Sequence, residues 1–165
     1  LTPLVKENVS VPVVASGGIA TGRGAAAAIA LGAEGIEMGT VFMAAEEAPI
    51  HLNVKKEIVK CGDMKTVITG TCTGEPCRQI KNKLSDSMNS LEAELSYQDA
   101  AEKLKEIAAS SLKMAMVNGE TEEHGAIMVG QVVPFVNTVR TTKEILDEIL
   151  ETSNKIIENM HTFTW

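Results

Sequence analysis

With 165 residues, 44% of them hydrophobic and 22% charged, the chain has the length and composition for one packed core and no disorder-prone bias. Its formal charge of −7, with basic residues scattered along the chain, argues against a nucleic-acid groove or a membrane-surface patch. No apolar run approaches the roughly 20 residues of a membrane span, and residues 1–7 lack the basic start of a secretory signal.

Leu1, Val5 and Val9 keep helical spacing up to an abrupt Pro12, so the chain opens on what reads as the tail of a helix. Such a start, without Met, raises the expectation of a piece of a longer protein. Residues 11–15 form a β-branched apolar run without alternation, the pattern of a parallel strand buried on both faces. Gly17-Gly18 ends it. Thr21-Gly22-Arg23-Gly24 then opens an alanine-rich helix, residues 25–31, which stops at Gly32. A second strand is expected at 35–38, ended by Gly39-Thr40, where a short helix begins and runs to Glu46 or Glu47. Two strands joined this way make a right-handed βαβ unit.

After Pro49 the strand signal thins. A short helix is expected at 53–60, one more strand at 65–69, a loop at 70–74 and a helix at 75–84 with charged outer positions. Residues 84–97 are polar and weakly patterned. Residues 99–117 read as an amphipathic helix with Leu104, Ile107, Ala108, Leu112 and Ala115 on its apolar face, ended by Gly119. A glycine-punctuated loop leads to residues 131–136. The last helix opens with the capping-box pair Thr141 and Glu144 and carries Ile145, Ile149, Leu150, Ile156, Ile157 and Met160 on one stripe. The expected organisation is a βαβ part (1–49), a helical and loop extension (50–140) and a C-terminal helix packed on the βαβ part (141–165). Two strands alone leave open edges and a half-covered helix layer, so further strands are expected upstream, and the apolar face of residues 25–31 is expected to lie bare without them.

The two glycine turns carry the chemistry. Ser16-Gly17-Gly18-Ile19 and Met38-Gly39-Thr40 each end a parallel strand where a helix begins. Glycine there lets backbone approach an anion closely, and the first N–H groups of the helix point at it. In (β/α)₈ TIM barrels the loops after the last two strands often hold a phosphate in this way.

Residues 11–20 and 32–40, together with Arg78-Gln79-Ile80-Lys81-Asn82, Val129-Gly130-Gln131 and residues 141–149, resemble the nitronate monooxygenase (2-nitropropane dioxygenase) family, which includes the flavin-dependent enoyl-ACP reductase II. The likeness covers nearly the whole chain but only the C-terminal half of the family. It implies the last two strands of an FMN-binding α/β TIM barrel with a mostly helical extension. Carried over by position, Ser16, Gly17, Gly18, Ile19, Gly39 and Thr40 would hold the FMN phosphate, and Gln131 would face the substrate pocket. The resemblance implies FMN as cofactor and NAD(P)H as a candidate co-substrate. The parent would be an oxidoreductase acting on a small-molecule nitronate or, alternatively, on an enoyl thioester. The family's histidine base and the strands cradling the flavin ring are expected upstream of Leu1, so the catalytic residues are unknown and the chain alone is expected to be inactive. The alternative is a non-catalytic half-barrel that self-associates. Pro134-Phe135 replaces the family's small residue and glycine. Val41 stands where an arginine is common, and Phe42 keeps the family's aromatic.

Other candidates read as structural. Cys61, Cys72 and Cys77 have no metal-like spacing and fit free thiols in a reducing cytoplasm. Of His51, His124 and His161, only His124 lies near a candidate loop, and it reads as solvated. Arg78 and Asn82, taken to share a helix face, suggest structural hydrogen bonding. Met114, Met116 and Met128 suggest core filling, and Glu92, Glu94, Glu102 and Glu106 solvated faces.

Overall fold

The computed structural model describes residues 1–160. After helix α1 (Thr2–Asn8) comes strand β1 (Val14–Ser16), which pairs in parallel with β2 (Gly35–Glu37) in the register Val14–Gly35, Ala15–Ile36 and Ser16–Glu37. Helix α2 (Gly22–Ala30) is the crossover. Thr21 caps it, its Oγ1 accepting the Gly24 N–H at 3.2 Å, and the absence of bulky side chains buries Ala25, Ala26 and Ala28. The expected strand–helix–strand unit is present. Short helix α3 (Thr40–Met43) follows β2 directly.

Two expectations about this unit need correcting. β1 is not buried on both faces: Val14 is 58% exposed, because among the described residues the sheet has two strands and no layer covers that side. Nor is the face of α2 bare. Helix α7 (Thr142–Met160) packs along it so closely that Gly22 touches the α7 backbone, burying Ala25, Ala26 and Ala28 and leaving Ala27, Ile29, Ala30 and Leu31 exposed.

Helix α4 (Leu52–Lys60) leads into an antiparallel hairpin, β3 (Thr66–Thr69) with β4 (Cys77–Ile80). The helix expected at 75–84 is therefore a strand followed by a helix start. Pairing with β3 on one side, and with residues 127–129 on the other, satisfies the backbone better than an isolated turn would: the Ile80 N–H donates to the Ile127 carbonyl (2.9 Å) and the Val129 N–H to that of Arg78 (3.2 Å). Arg78 and Asn82 accordingly do not share a helix face. Asn82 caps α5 (Lys83–Glu94) in a reciprocal box with Ser85, and its Nδ2 also donates to the carbonyls of Thr121 and Gly125. The polar, weakly patterned stretch after residue 84 begins as this helix. Its Glu92 is no solvated ornament, since its carboxylate accepts the N–H groups of Gly70 and Cys72.

The hairpin separates two cores. On one side Ile80 joins Ala25, Val41, Val54, Ile58, Ile127, Val133, Ile145 and Ile149. On the other, Leu84, Met88 and Cys72 pack on Ala100 and Leu104 of α6 (Tyr97–Met116). Both long helices bury a serine that the apolar stripes did not anticipate: Ser111 lies inside while Leu112 is exposed, and Ser153 inside while Leu150 is exposed. Each serine hydroxyl donates to a carbonyl three residues back, which removes the cost of burying it. Met128 is half-exposed rather than core.

Candidate functional site

Because Ser16–Glu37 is the last pair of the parallel ladder, Gly17-Gly18 and Met38-Gly39 leave the same end of adjacent strands. Adjacent strands lie about 4.8 Å apart, so the two turns flank one small space. Gly17 and Gly18 take φ of +87° and +75°, a left-handed pair that side chains other than glycine's rarely adopt. A Cβ added at Gly17, Gly18 or Gly39 would meet no atom within 4 Å, so the backbone at all three positions is open to a ligand. Ser16 is exposed beside them. Ile19 is not: its side chain is buried against Ala28 and Ala33, so it reaches a ligand through its backbone alone.

Thr40 is buried, and its Oγ1 accepts the Gly130 N–H at 2.9 Å. This bond ties the Gly-Gln loop to the glycine turn across 90 residues of sequence. The loop that follows divides two depressions. Val132 and Phe135 line a cleft of ≈ 480 Å³ with Gly18 and the first turn of α2, where Gly22, Arg23 and Gly24 lie. Gln131 and Pro134 line the other, a recess of ≈ 170 Å³, with Lys65, Thr66 and Arg78. Arg78 Nη1 donates to Thr66 Oγ1 at 3.0 Å. Gln131 and Arg78, both flagged from the sequence, thus meet at one recess. Asn82 is elsewhere, holding loop 121–125, and the Val41 side chain is in the core.

Arg23 escaped the sequence reading. It sits between two glycines on the first turn of α2, the one cationic side chain of the cleft, and that placement at a helix start was the available signal.

His51 and His124 stand away from these turns. His51 caps α4, its Nδ1 accepting the Asn53 N–H; His124 is exposed on the loop wrapped around Glu120; His161 lies outside the described residues. Burial would push the Glu120 carboxyl up, but the N–H groups of Glu122, Glu123, His124 and Gly125 outweigh it and hold the group below the usual carboxylate range. Cys61 and Cys72 are buried free thiols raised by desolvation, Cys61 further by Glu57 and Cys72 by Glu92; Cys77 is free and half-buried. Among the described residues no three His, Cys, Asp or Glu groups are placed to hold a metal, and no helix is long and apolar enough to cross a membrane.

Comparison with known proteins supplies the context. Residues 1–152 match the family model described as nitronate monooxygenase. A probable nitronate monooxygenase of Staphylococcus aureus is 30% identical over 96% of this chain and 43% of its own length. FabK from Thermotoga maritima superposes with a TM-score of 0.90 at 36% identity, covering 99% of this chain and 51% of that one. A nitroalkane oxidase from Streptomyces ansochromogenes gives 0.74 at 25% identity, covering 97% and 44%. The chain spans less than half the length of the curated relatives it matches.

Proposed function

The chain belongs to the nitronate monooxygenase family, and from that premise we propose that it forms the phosphate-holding end of an FMN site in a barrel oxidoreductase acting on nitronates. The observation that carries the reading is the pair of open glycine turns at one end of a parallel sheet, where three absent Cβ atoms leave backbone amides accessible. Those residues fit a phosphate. The amides of Gly17, Gly18 and Gly39 donate to its oxygens, with Ser16 and Ile19 beside them. The Thr40 hydroxyl, while accepting from Gly130, still has its proton to give. Arg23 offsets the remaining charge. When bound, a flavin supplies a two-electron carrier for the substrate. Gln131, positioned by the Gly130–Thr40 bond, orients the substrate from the recess side. The remaining flavin contacts and the catalytic base are assigned to the part of the family's length that this chain does not span.

Reduction of an enoyl thioester at the expense of NAD(P)H is the second reading, favoured by the 36% identity and close superposition with FabK. The two readings share the phosphate site and differ in substrate.

Gly39→Val tests the site. Gly39 has φ −94°, a conformation valine accepts, and its new side chain would enter open space and leave the fold unstrained. Residues 1–165 are expected to bind FMN weakly by flavin fluorescence, and Gly39→Val to abolish that binding with an unchanged melting temperature. The unsubstituted chain with FMN is expected to show no nitronate oxidation and no NAD(P)H consumption with an enoyl thioester. Equal FMN affinity in the variant would place the phosphate elsewhere.

A further inference from the structure

Strand β4 turns Ile80 into the first core, and by alternation Arg78 faces the same way, into the recess of ≈ 170 Å³ beside the Gly-Gln loop. Val133 and Pro134 supply apolar wall, and the charged groups of the lining are Arg78 and Lys65 against Asp63, a net of one positive charge. Among the described residues neither cation has an ion-pair partner, Asp63 included. Asp63 instead accepts the Met64 N–H on its Oδ1 at 3.0 Å. Arg78 gives one N–H of Nη1 to Thr66 Oγ1. Its Nε and Nη2 have no partner among the described residues and, unlike the enclosed Nε of Arg140, they reach the surface. The exposed Gln131 side chain, on the same recess, is also without a partner there.

A guanidinium is a rigid planar fork of donors, and its Nε–Nη2 edge matches the two oxygens of a carboxylate. Thr66 occupies Nη1 and leaves that edge free. We propose that the recess is an anion site for a small organic carboxylate. Its oxygens take parallel hydrogen bonds from Arg78 Nε and Nη2, the Gln131 amide donates to a further lone pair, and the short apolar stem rests on Val133 and Pro134. Lys65, exposed on the rim, adds charge without fixing geometry. One negative charge balances the lining, whereas a phosphate dianion exceeds it and is repelled by Asp63. A cavity of about 150 Å³ takes a benzene-sized guest, so an acid of about five heavy atoms fits this recess. The site uses none of the residues assigned to the FMN phosphate. It goes beyond the flavin reading and shares with it only Gln131, so the experiment reads binding and not turnover.

The test uses propionate and propionamide, which match in heavy atoms and differ in charge, with inorganic phosphate as the dianion. They are titrated into residues 1–165 at slightly alkaline pH and fixed ionic strength and followed by amide chemical shifts. Propionate should bind saturably and shift residues 62–66 and 131–134. Propionamide and phosphate should each bind there about tenfold more weakly or worse, the discrimination expected from one charge-assisted pair. Arg78→Met keeps the stem and removes the fork, so it should bring propionate down to the level of propionamide. Arg78→Lys retains the charge and should recover only part of the affinity. Asp63→Asn, at an exposed position outside any ion pair, should tighten phosphate severalfold and more than propionate. No saturable binding of propionate, equal affinity for propionamide, or propionate affinity unchanged in Arg78→Met would each overturn the proposal. So would shifts confined to residues 17–18 and 39–40, which would put the anion at the glycine turns. Should Arg78→Met fail to fold, Asp63→Asn decides, because phosphate affinity unchanged there refutes the charge balance. FMN titration of the same samples reads the glycine turns, so failure of one site is distinguishable from failure of the other.

Discussion

Gly22→Ala is the most informative single change, because it adds one methyl group where two helices meet. That Cβ would lie 2.5 Å from Thr152 Cβ, 2.8 Å from the Ile149 carbonyl oxygen and 2.9 Å from the Ser153 nitrogen. Carbon atoms pack at about 3.5–4.0 Å, so α7 must withdraw from α2 by about 1 Å. Two of the three obstacles are backbone, and no rotamer change relieves them. Overpacking of this kind costs about 1–3 kcal/mol, against which alanine's helix propensity returns at most about 1 kcal/mol. The net loss of about 1–2 kcal/mol should lower the melting temperature of a chain this size by about 2–8 °C, measured by circular dichroism. Gly24→Ala is the internal control. It lies on the same turn, its added Cβ comes no nearer than 3.5 Å to any atom, and it should be neutral or slightly stabilising. Gly22 also lines the cleft beside Gly18, so the displaced α7 should weaken FMN binding as well. If Gly22→Ala melts with Gly24→Ala, the helix pair is not the close contact described above.

Gly119→Ala should destabilise by about 1–3 kcal/mol in urea unfolding, because φ is +71° and the new Cβ would fall 2.1 Å from the His51 Nδ1 that caps α4. Adding His51→Ala should relieve the clash but not the backbone strain, so recovery should be partial. Acid should loosen the start of α7 before the cores fail. Glu47 is held below the usual carboxylate range by the Thr142 N–H, and Glu144 by the Thr141 N–H. Depressed folded-state pKa values contribute stability above the unfolded value of about 4.3, lost as pH falls through the folded values. Hydrogen-exchange protection at residues 142–145, taken relative to the intrinsic rate at each pH, should therefore fall below about pH 4.3, and Glu47→Gln should flatten that dependence; protection independent of pH would refute the capping role.

Local rules sufficed where the chain makes its own structure. Thr21 before the alanine run, Gly39-Thr40 after the second strand and the Thr141–Glu144 pair each specify a terminus through contacts within four residues, and each is found where the pattern places it. The two glycine turns were legible for the same reason: a strand end and a helix start are both local events. What failed was non-local. Residues 77–80 carry no strand signal strong enough to override their charged surroundings, and become β4 because Thr66–Thr69 on one flank and residues 127–129 on the other offer ladders. Reading that segment as a helix put Arg78 and Asn82 on one face; as a strand and a cap it sends Arg78 to Gln131 and Asn82 to loop 121–125. The same error hid Gln79, which on a solvated helix would be unremarkable. Alternation on β4 turns it inward instead, so the strand that brings Arg78 to the recess also buries an unpaired amide oxygen on its other side. The recess and the buried amide are thus two consequences of one pairing. A substitution that unpairs β4 should disturb both, while leaving the turns at Gly17 and Gly39, which hang on β1 and β2, intact.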